Sequence, residues 1–223
     1  CLFQSWHRNE GAIFESMMAH PIRYALYSLL PKATLSRWTG RLLSAQLPLI
    51  SPLMKRLFVA IYKPNLDEAE HTISHYPTAQ ALFTRRLKPG ARPLADGELI
   101  SPVDGRFRFS GEMATSPATL IQAKGIEYTL PQLIGDQQLA EHFVGGSWAV
   151  LYLAPHNYHR IHSPCDGEVV ETLYLPGQFW PVNDWSVETV PSLFAVNERM
   201  VTRLRHPSGA EALVVMVAAT NVG

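Results

Sequence analysis

Apolar residues in the first part of the chain recur at helical spacing. Leu35, Trp38 and Leu42 fall at i, i+3 and i+7, and Leu53, Met54, Leu57, Phe58 and Ile61 form a second stripe beside Lys55 and Arg56. Pro31, Pro48 and Pro52 punctuate residues 12–63 and predict a set of helices broken at those prolines. Asn65 to Pro77 is polar and acidic and reads as a connector. Ala79 to Leu87 predicts a short helix, broken by Lys88-Pro89-Gly90-Ala91-Arg92-Pro93. From Leu99 the style changes to short apolar runs and alternating stretches such as Arg106-Phe107-Arg108-Phe109, interrupted by a predicted helix from Thr129 to Phe143. Ala149 to Ala154, Glu168 to Leu175 and Ala212 to Val217 read as strands. The fold class is α+β, with a helical region over 1–64, a connector and short helix over 65–98, and a β-rich core over 99–223.

One phrase occurs twice in the core. Ser101-Pro102-Val103-Asp104-Gly105 precedes one predicted strand and Ser163-Pro164-Cys165-Asp166-Gly167 precedes another, which predicts two related strand-turn units. The second copy closes the chemically richest stretch of the chain. After the apolar run to Ala154, Pro155 stops the strand, and His156, His159 and His162 follow within seven residues, with Tyr158 and Arg160 between them.

Composition narrows the field. Apolar residues make up 47 % of the chain and charged ones 17 %, so the protein is globular. Its zero net charge hides an asymmetry, because residues 1–63 carry eight Lys or Arg against Glu10 and Glu15, a net of +6, and the rest carries −6. A basic helical head with Trp, Phe and Tyr suits the headgroup layer of an anionic membrane, or a layer packed on the body. No apolar run reaches the roughly 18 residues of a membrane span. Cys1 and Cys165 form no C-x-x-C, so neither a disulfide framework nor a zinc knuckle is implied, and a reducing compartment is the default. Without G-x-G-x-x-G, a Walker loop or G-x-S-x-G, neither nucleotide binding nor α/β-hydrolase chemistry has sequence support, and no nucleic-acid partner is expected.

The histidine cluster admits three readings. It is a polar turn, or a zinc site with His156, His159 and His162 as ligands of a hydrolase, or part of an acid–base system. In the third reading Asp104 orients an imidazole whose other nitrogen acts as a base, but no serine in this sequence has a recognisable nucleophile setting. A catalytically silent membrane-bound β-domain is a further class.

Several segments, in order, resemble the phosphatidylserine decarboxylases over roughly residues 80–223. They are Phe83-Thr84-Arg85-Arg86-Leu87 with Arg92-Pro93, Pro102-Val103-Asp104-Gly105, Gln122-Ala123-Lys124-Gly125, Tyr152-Leu153-Ala154-Pro155, Tyr158-His159-Arg160-Ile161-His162, Pro164-Cys165-Asp166-Gly167 and Asn197-Glu198-Arg199. His156-Asn157 departs from the more charged pair of bacterial members.

The resemblance implies a self-processing lyase. In that family a serine in a G-S-T context attacks the preceding carbonyl, and elimination leaves a pyruvoyl group that serves as covalent cofactor. Asp104 and His162 correspond to the aspartate and histidine acting with that serine, and His159 to a proton donor in decarboxylation. The pyruvoyl carbonyl condenses with the substrate amine and takes up the electrons released as carbon dioxide leaves. The sequence contains no G-S-T and ends just after the strand-like run 212–217. The expectation is therefore a fragment, inactive alone, whose nucleophile lies beyond Gly223. The implied partners are phosphatidylserine in an anionic membrane and the small pyruvoyl-bearing chain, and the resemblance leaves room for a homodimer. The implied location is peripheral, on the cytoplasmic face of the inner membrane.

Overall fold

In the computed structural model residues 24–114, 116–123 and 126–222 are described. The head before residue 24 and Lys124-Gly125 of the Q-A-K-G phrase lie outside them. Residues 24–29 are helical, followed by α1 (Lys32–Ser44) and α2 (Ile50–Tyr62). Pro31 is the N-cap of α1. Pro52, expected to break the chain, instead sits in the first turn of α2, where its missing amide costs no helical hydrogen bond. Lys63 ends α2 in the left-handed conformation (φ 49°), its amide donating to the Val59 carbonyl.

Both helices are inverted relative to an ordinary surface helix. Their buried residues are Ser36, Ser51 and Lys55, whereas Trp38 is 64 % exposed and Leu53 63 %. Lys55 Nζ donates to the carbonyls of Ile73 (3.0 Å) and Tyr76 (2.5 Å). The head is anchored on the body by Tyr24 stacked on Trp180 (5.4 Å between centroids) and by Lys32 above the same indole (4.2 Å).

The predicted helix 79–87 is shorter in the structure. α3 (Ala79–Phe83) is capped by Thr78 Oγ1, and the chain beyond it pairs with the connector. Lys88 N donates to Glu68 O at 2.8 Å and Glu70 N to Arg86 O at 2.9 Å, so residues 68–70 and 86–88 form a small antiparallel bridge. The predicted helix 129–143 is two helices, α4 (Leu130–Ile134) and α5 (Gln137–His142). Gly135 ends the first in the left-handed region (φ 73°) and Asp136 caps the second, so a C-cap and an N-cap stand back to back.

Among the described residues every pair of named strands is antiparallel, and one isolated parallel bridge joins Gln178 to Asn197. β1 (Arg106–Glu112) pairs with β4 (Ser147–Tyr152), β2 (Thr119–Ala123) with β3 (Ile126–Thr129), and β5 (Glu168–Leu175), β6 (Arg199–Arg205) and β7 (Glu211–Val217) form a three-stranded sheet in that order. The core lies between these sheets, α4, and the short helices α6 (Asp184–Thr189) and α7 (Leu193–Val196), with Ile134 and Leu193 fully buried.

The two S-P-x-D-G turns occupy equivalent places. Ile100 N donates to Pro164 O (2.8 Å) and His162 N to Pro102 O (2.9 Å), a reciprocal pair related by the same 62-residue offset as the turns themselves. Ser101 Oγ and Ser163 Oγ each donate to the carbonyl two residues on, both at 2.7 Å. The strands that follow carry an irregularity at the same step, between Phe107 and Phe109 in β1 and between Val169 and Glu171 in β5. Gly167 (φ 146°) is obligatory, since a Cβ there would lie 2.2 Å from Arg205 O.

Two of the family-like phrases turn out to be buried braces. Gln122 Nε2 donates to the carbonyls of Val187 and Val190 (both 2.8 Å) at the end of α6, and Arg199 donates to those of Gln132, Leu133 and Asn197. Asn197, fully buried, accepts from Trp180 N (3.0 Å) and donates to Trp180 O and Ala218 O (2.9 Å each). Asn197→Ala strands three backbone groups and is expected to lower stability by roughly 3 kcal/mol, read as the midpoint shift in urea unfolding at constant slope. An unchanged midpoint would show that water replaces the amide.

Candidate active site

The histidine segment leaves β4 at Tyr152 and is folded by its own polar groups. Asn157 Oδ1 accepts from Ala154 N (2.7 Å) and Asn157 N donates to Ala154 O (2.9 Å), closing a turn around Pro155. That turn buries Tyr158, leaves His159 half-buried and His162 exposed. Tyr158 OH lies 3.0 Å from His162 Nε2, with the rings stacked at 5.6 Å. His159 Nδ1 lies 3.1 Å from Asn157 O. A carbonyl only accepts, so Nδ1 carries the proton and Nε2 keeps its lone pair in the neutral ring.

The F-T-R-R phrase closes over this segment. Phe83 packs on the His159 ring at 3.9 Å between centroids, Arg160 Nε donates to Thr84 O (3.1 Å), and Arg85 Nη2 donates to His156 O (3.2 Å). Burial, followed by the charges of Arg85 and His156, holds the His159 pKa below the usual histidine value despite the opposing carbonyl contact.

Asp104 stands on the neighbouring turn, its side chain 27 % exposed. Its Oδ2 accepts from Arg92 Nε (2.7 Å) and lies 2.6 Å from Arg92 Nη2, which also donates to Glu68 Oε2 at 2.8 Å. The two carboxylates raise the already high Arg92 pKa. Asp104 and His162 are thus joined through the Pro102–His162 backbone hydrogen bond. Their side chains are engaged elsewhere, with Arg92 and Tyr158 respectively. Asp104 and Tyr158 line one cavity of about 300 Å³ together with Arg85, Arg92 and His156. Arg92, Tyr158 and Arg85 were legible only as members of quoted phrases. No spacing rule pairs them with Asp104, His162 and the His156 carbonyl.

The zinc arrangement is not formed by the described residues. No group of three His, Cys, Asp or Glu among them is disposed to hold a metal ion.

The family model for phosphatidylserine decarboxylase matches residues 79–223. The chain belongs to the phosphatidylserine decarboxylase family. Among curated relatives, the phosphatidylserine decarboxylase proenzyme of Myxococcus xanthus strain DK1622 is 46 % identical over 202 residues, covering 88 % of this chain and 70 % of the relative. The proenzyme of Anaeromyxobacter sp. strain K is 47 % identical over 198 residues (87 % and 69 %), and that of Vibrio vulnificus strain YJ016 is 41 % identical over 206 (91 % and 71 %). The phosphatidylserine decarboxylase family is one of carboxy-lyases, named as proenzymes, and its matched region contains every residue of the cavity wall named above.

The depressed His159 pKa has a consequence for stability. The fold favours the neutral ring, so stability is level above the unfolded value of about 6.5 and falls as pH drops below it. His159 is expected to titrate below that value by NMR, and Phe83→Ala, by wetting the ring, to move it upward. A midpoint at or above the free-histidine value would contradict the burial argument.

Proposed function

We propose that this chain forms the body of an enzyme that decarboxylates phosphatidylserine to phosphatidylethanolamine, with Asp104, His159 and His162 as its acid–base residues. The reading is carried by one observation. In a chain of this family, reciprocal backbone hydrogen bonds hold the Asp104 turn against the turn that ends in His162.

The side chains suit a pyruvoyl cofactor formed from a serine outside these 223 residues, since His159 and His162 differ in burial and Tyr158 between them borders a cavity lined by both cations (Lys63, Arg85, Arg92) and carboxylates (Glu68, Asp104). When present, such a group supplies the carbonyl that engages the substrate amine and takes up the electrons released with carbon dioxide. His162, exposed and hydrogen-bonded to Tyr158, is assigned to accept the proton of the serine hydroxyl during self-cleavage. Asp104 is assigned to orient that imidazole, which requires its carboxylate to exchange Arg92 for the ring. His159 is assigned to the later step. With Nδ1–H fixed on Asn157 O, its Nε2 takes up a proton and delivers it to the product carbon, and a depressed pKa makes that protonated ring a stronger donor. The partners in this reading are phosphatidylserine and the small pyruvoyl-bearing chain.

The inverted head supports peripheral attachment to anionic lipid, which we place on the cytoplasmic face of the inner membrane. Trp38, Leu53 and Ile61 are exposed on helices that also expose Arg37, Arg41 and Arg56. No helix among the described residues is long and apolar enough to cross a membrane.

Two experiments check these assignments. In a protein extended to include the cleavage serine, His162→Ala is expected to block self-cleavage. His159→Ala is expected to cleave yet release carbon dioxide at least about a hundredfold more slowly. Mass spectrometry and a carbon dioxide assay separate the two, and the opposite pattern reverses the roles. In vesicle co-sedimentation, binding should fall with salt and with loss of anionic lipid, and Trp38→Ser with Leu57→Ser should weaken it. Indifference to lipid charge, salt and both substitutions would remove the membrane assignment.

A further inference from the structure

Arg85 is 3 % exposed, yet among the described residues only Nη2 of its guanidinium has a partner, the His156 carbonyl at 3.2 Å. Nε and Nη1 are buried and have no hydrogen-bond acceptor among those residues. A buried cation with open donors is costly, and structures usually satisfy such groups with protein, water or ligand. Burial lowers the Arg85 pKa, while the fields of Tyr76, Glu68 and Asp104 oppose that. An arginine nevertheless stays charged in proteins. It therefore calls for a counter-anion.

The space beside it has room for one. Arg85 borders the cavity of about 300 Å³ whose wall also includes Lys63, Arg92, Glu68, Asp104 and His156. Arg92 is occupied, because its nitrogens hold both Glu68 and Asp104. Leaving aside His156, three cations face two carboxylates, an excess of one positive charge that resides on Arg85 and Lys63. A volume of this size is at the small end of ligand pockets, which run from about 300 to 1,000 Å³, and suits a headgroup without acyl chains. Lys63 caps α2, whose last turn exposes Ile61 at 58 %, so the cavity adjoins the end of a helix with an unburied apolar stripe.

We propose that this cavity is a subsite for a phosphate oxyanion, held by Arg85 with Lys63 at its rim. The phosphodiester of a phospholipid headgroup and free phosphate share that chemistry. The charge excess of one and the neighbouring apolar stripe favour the phosphodiester. The identification with a lipid headgroup rests on the decarboxylase reading, whereas the oxyanion site itself does not.

The test measures binding, so turnover does not enter it. The 223-residue chain is titrated calorimetrically at low salt with glycerophosphoserine and, separately, with inorganic phosphate. Saturable binding is expected for glycerophosphoserine, weakened about tenfold by Arg85→Lys, which removes the planar donor set, and severalfold by Lys63→Gln at the exposed rim. Tighter binding of glycerophosphoserine than of phosphate assigns the site to a headgroup, and equal binding assigns it to free phosphate. The oxyanion site stands in both cases. If thermal melting shows that Arg85→Lys fails to fold, Lys63→Gln decides alone. Absence of saturable binding by either probe, or affinities unmoved by the folded variants, overturns the proposal. A restored enzyme that binds glycerophosphoserine but never releases carbon dioxide counts against the decarboxylase reading only.

Discussion

Two backbone hydrogen bonds, Ile100 N to Pro164 O and His162 N to Pro102 O, organise the chemistry of this fold. Each proline leads its turn without an amide of its own and offers a carbonyl that the other turn's flanking residue fills. The crossing fixes where β1 and β5 begin, since each starts two residues beyond its Asp-Gly corner's aspartate. It also brings Asp104 and His162, which belong to different strand-turn units, onto adjoining loops. Because backbone atoms make the contact, its geometry tolerates the change from Val103 in one turn to Cys165 in the other.

A second layer sets the electrostatic character of the histidines. Phe83 shields His159 from water, and Arg160 and Arg85 clip the segment to the end of α3 through Thr84 and His156 carbonyls. Shielding alone would favour a neutral ring anywhere. Here a guanidinium beside the ring adds to the effect, so burial and charge push in the same direction. His162 lies three residues on and is exposed, with a phenol as its partner. Two imidazoles in one short segment therefore have different surroundings, which is the condition for dividing acid–base labour between them.

How much of this was legible in the chain depends on the kind of interaction. Periodicity located α1, α2 and most strands, because burial on one face leaves a pattern in the residues themselves. It failed where local stop signals decide. Gly135-Asp136 splits the helix expected over 129–143, and pairing with residues 68–70 draws Arg86 to Lys88 out of the helix expected over 79–87. The motifs were visible, yet their roles were not. Asn197, Arg199 and Gln122 appear in sequence only as members of family-like phrases, and in space they are braces on backbone carbonyls. The reverse holds for Arg92, whose grip on Asp104 crosses a turn that no spacing rule encodes.

The inverted head follows from what its polar face must satisfy. Lys55 is buried because the chain over Ile73 to Tyr76 presents carbonyls with no strand to receive them, and an ammonium supplies donors for two at once. Ser51 does the same for the entry of α2, accepting from Leu47 N and donating to Ala45 O. Ser36 Oγ accepts from Asn221 N and fastens α1 to the far end of the chain. With these polar residues turned inward, Trp38, Leu53, Leu57 and Ile61 face outward, while Phe58 packs edge-on against Phe83. Exposure of Trp38, Leu53 and Ile61 is thus the cost of fastening the head through backbone carbonyls and amides. In water that exposure is unfavourable at roughly 25 cal/mol per Å², and a lipid surface removes the penalty. The same helix α2 that turns its stripe outward ends at Lys63, on the rim of the cavity that Arg85 borders. A molecule with apolar chains and an anionic head would meet both features in the order in which the helix presents them.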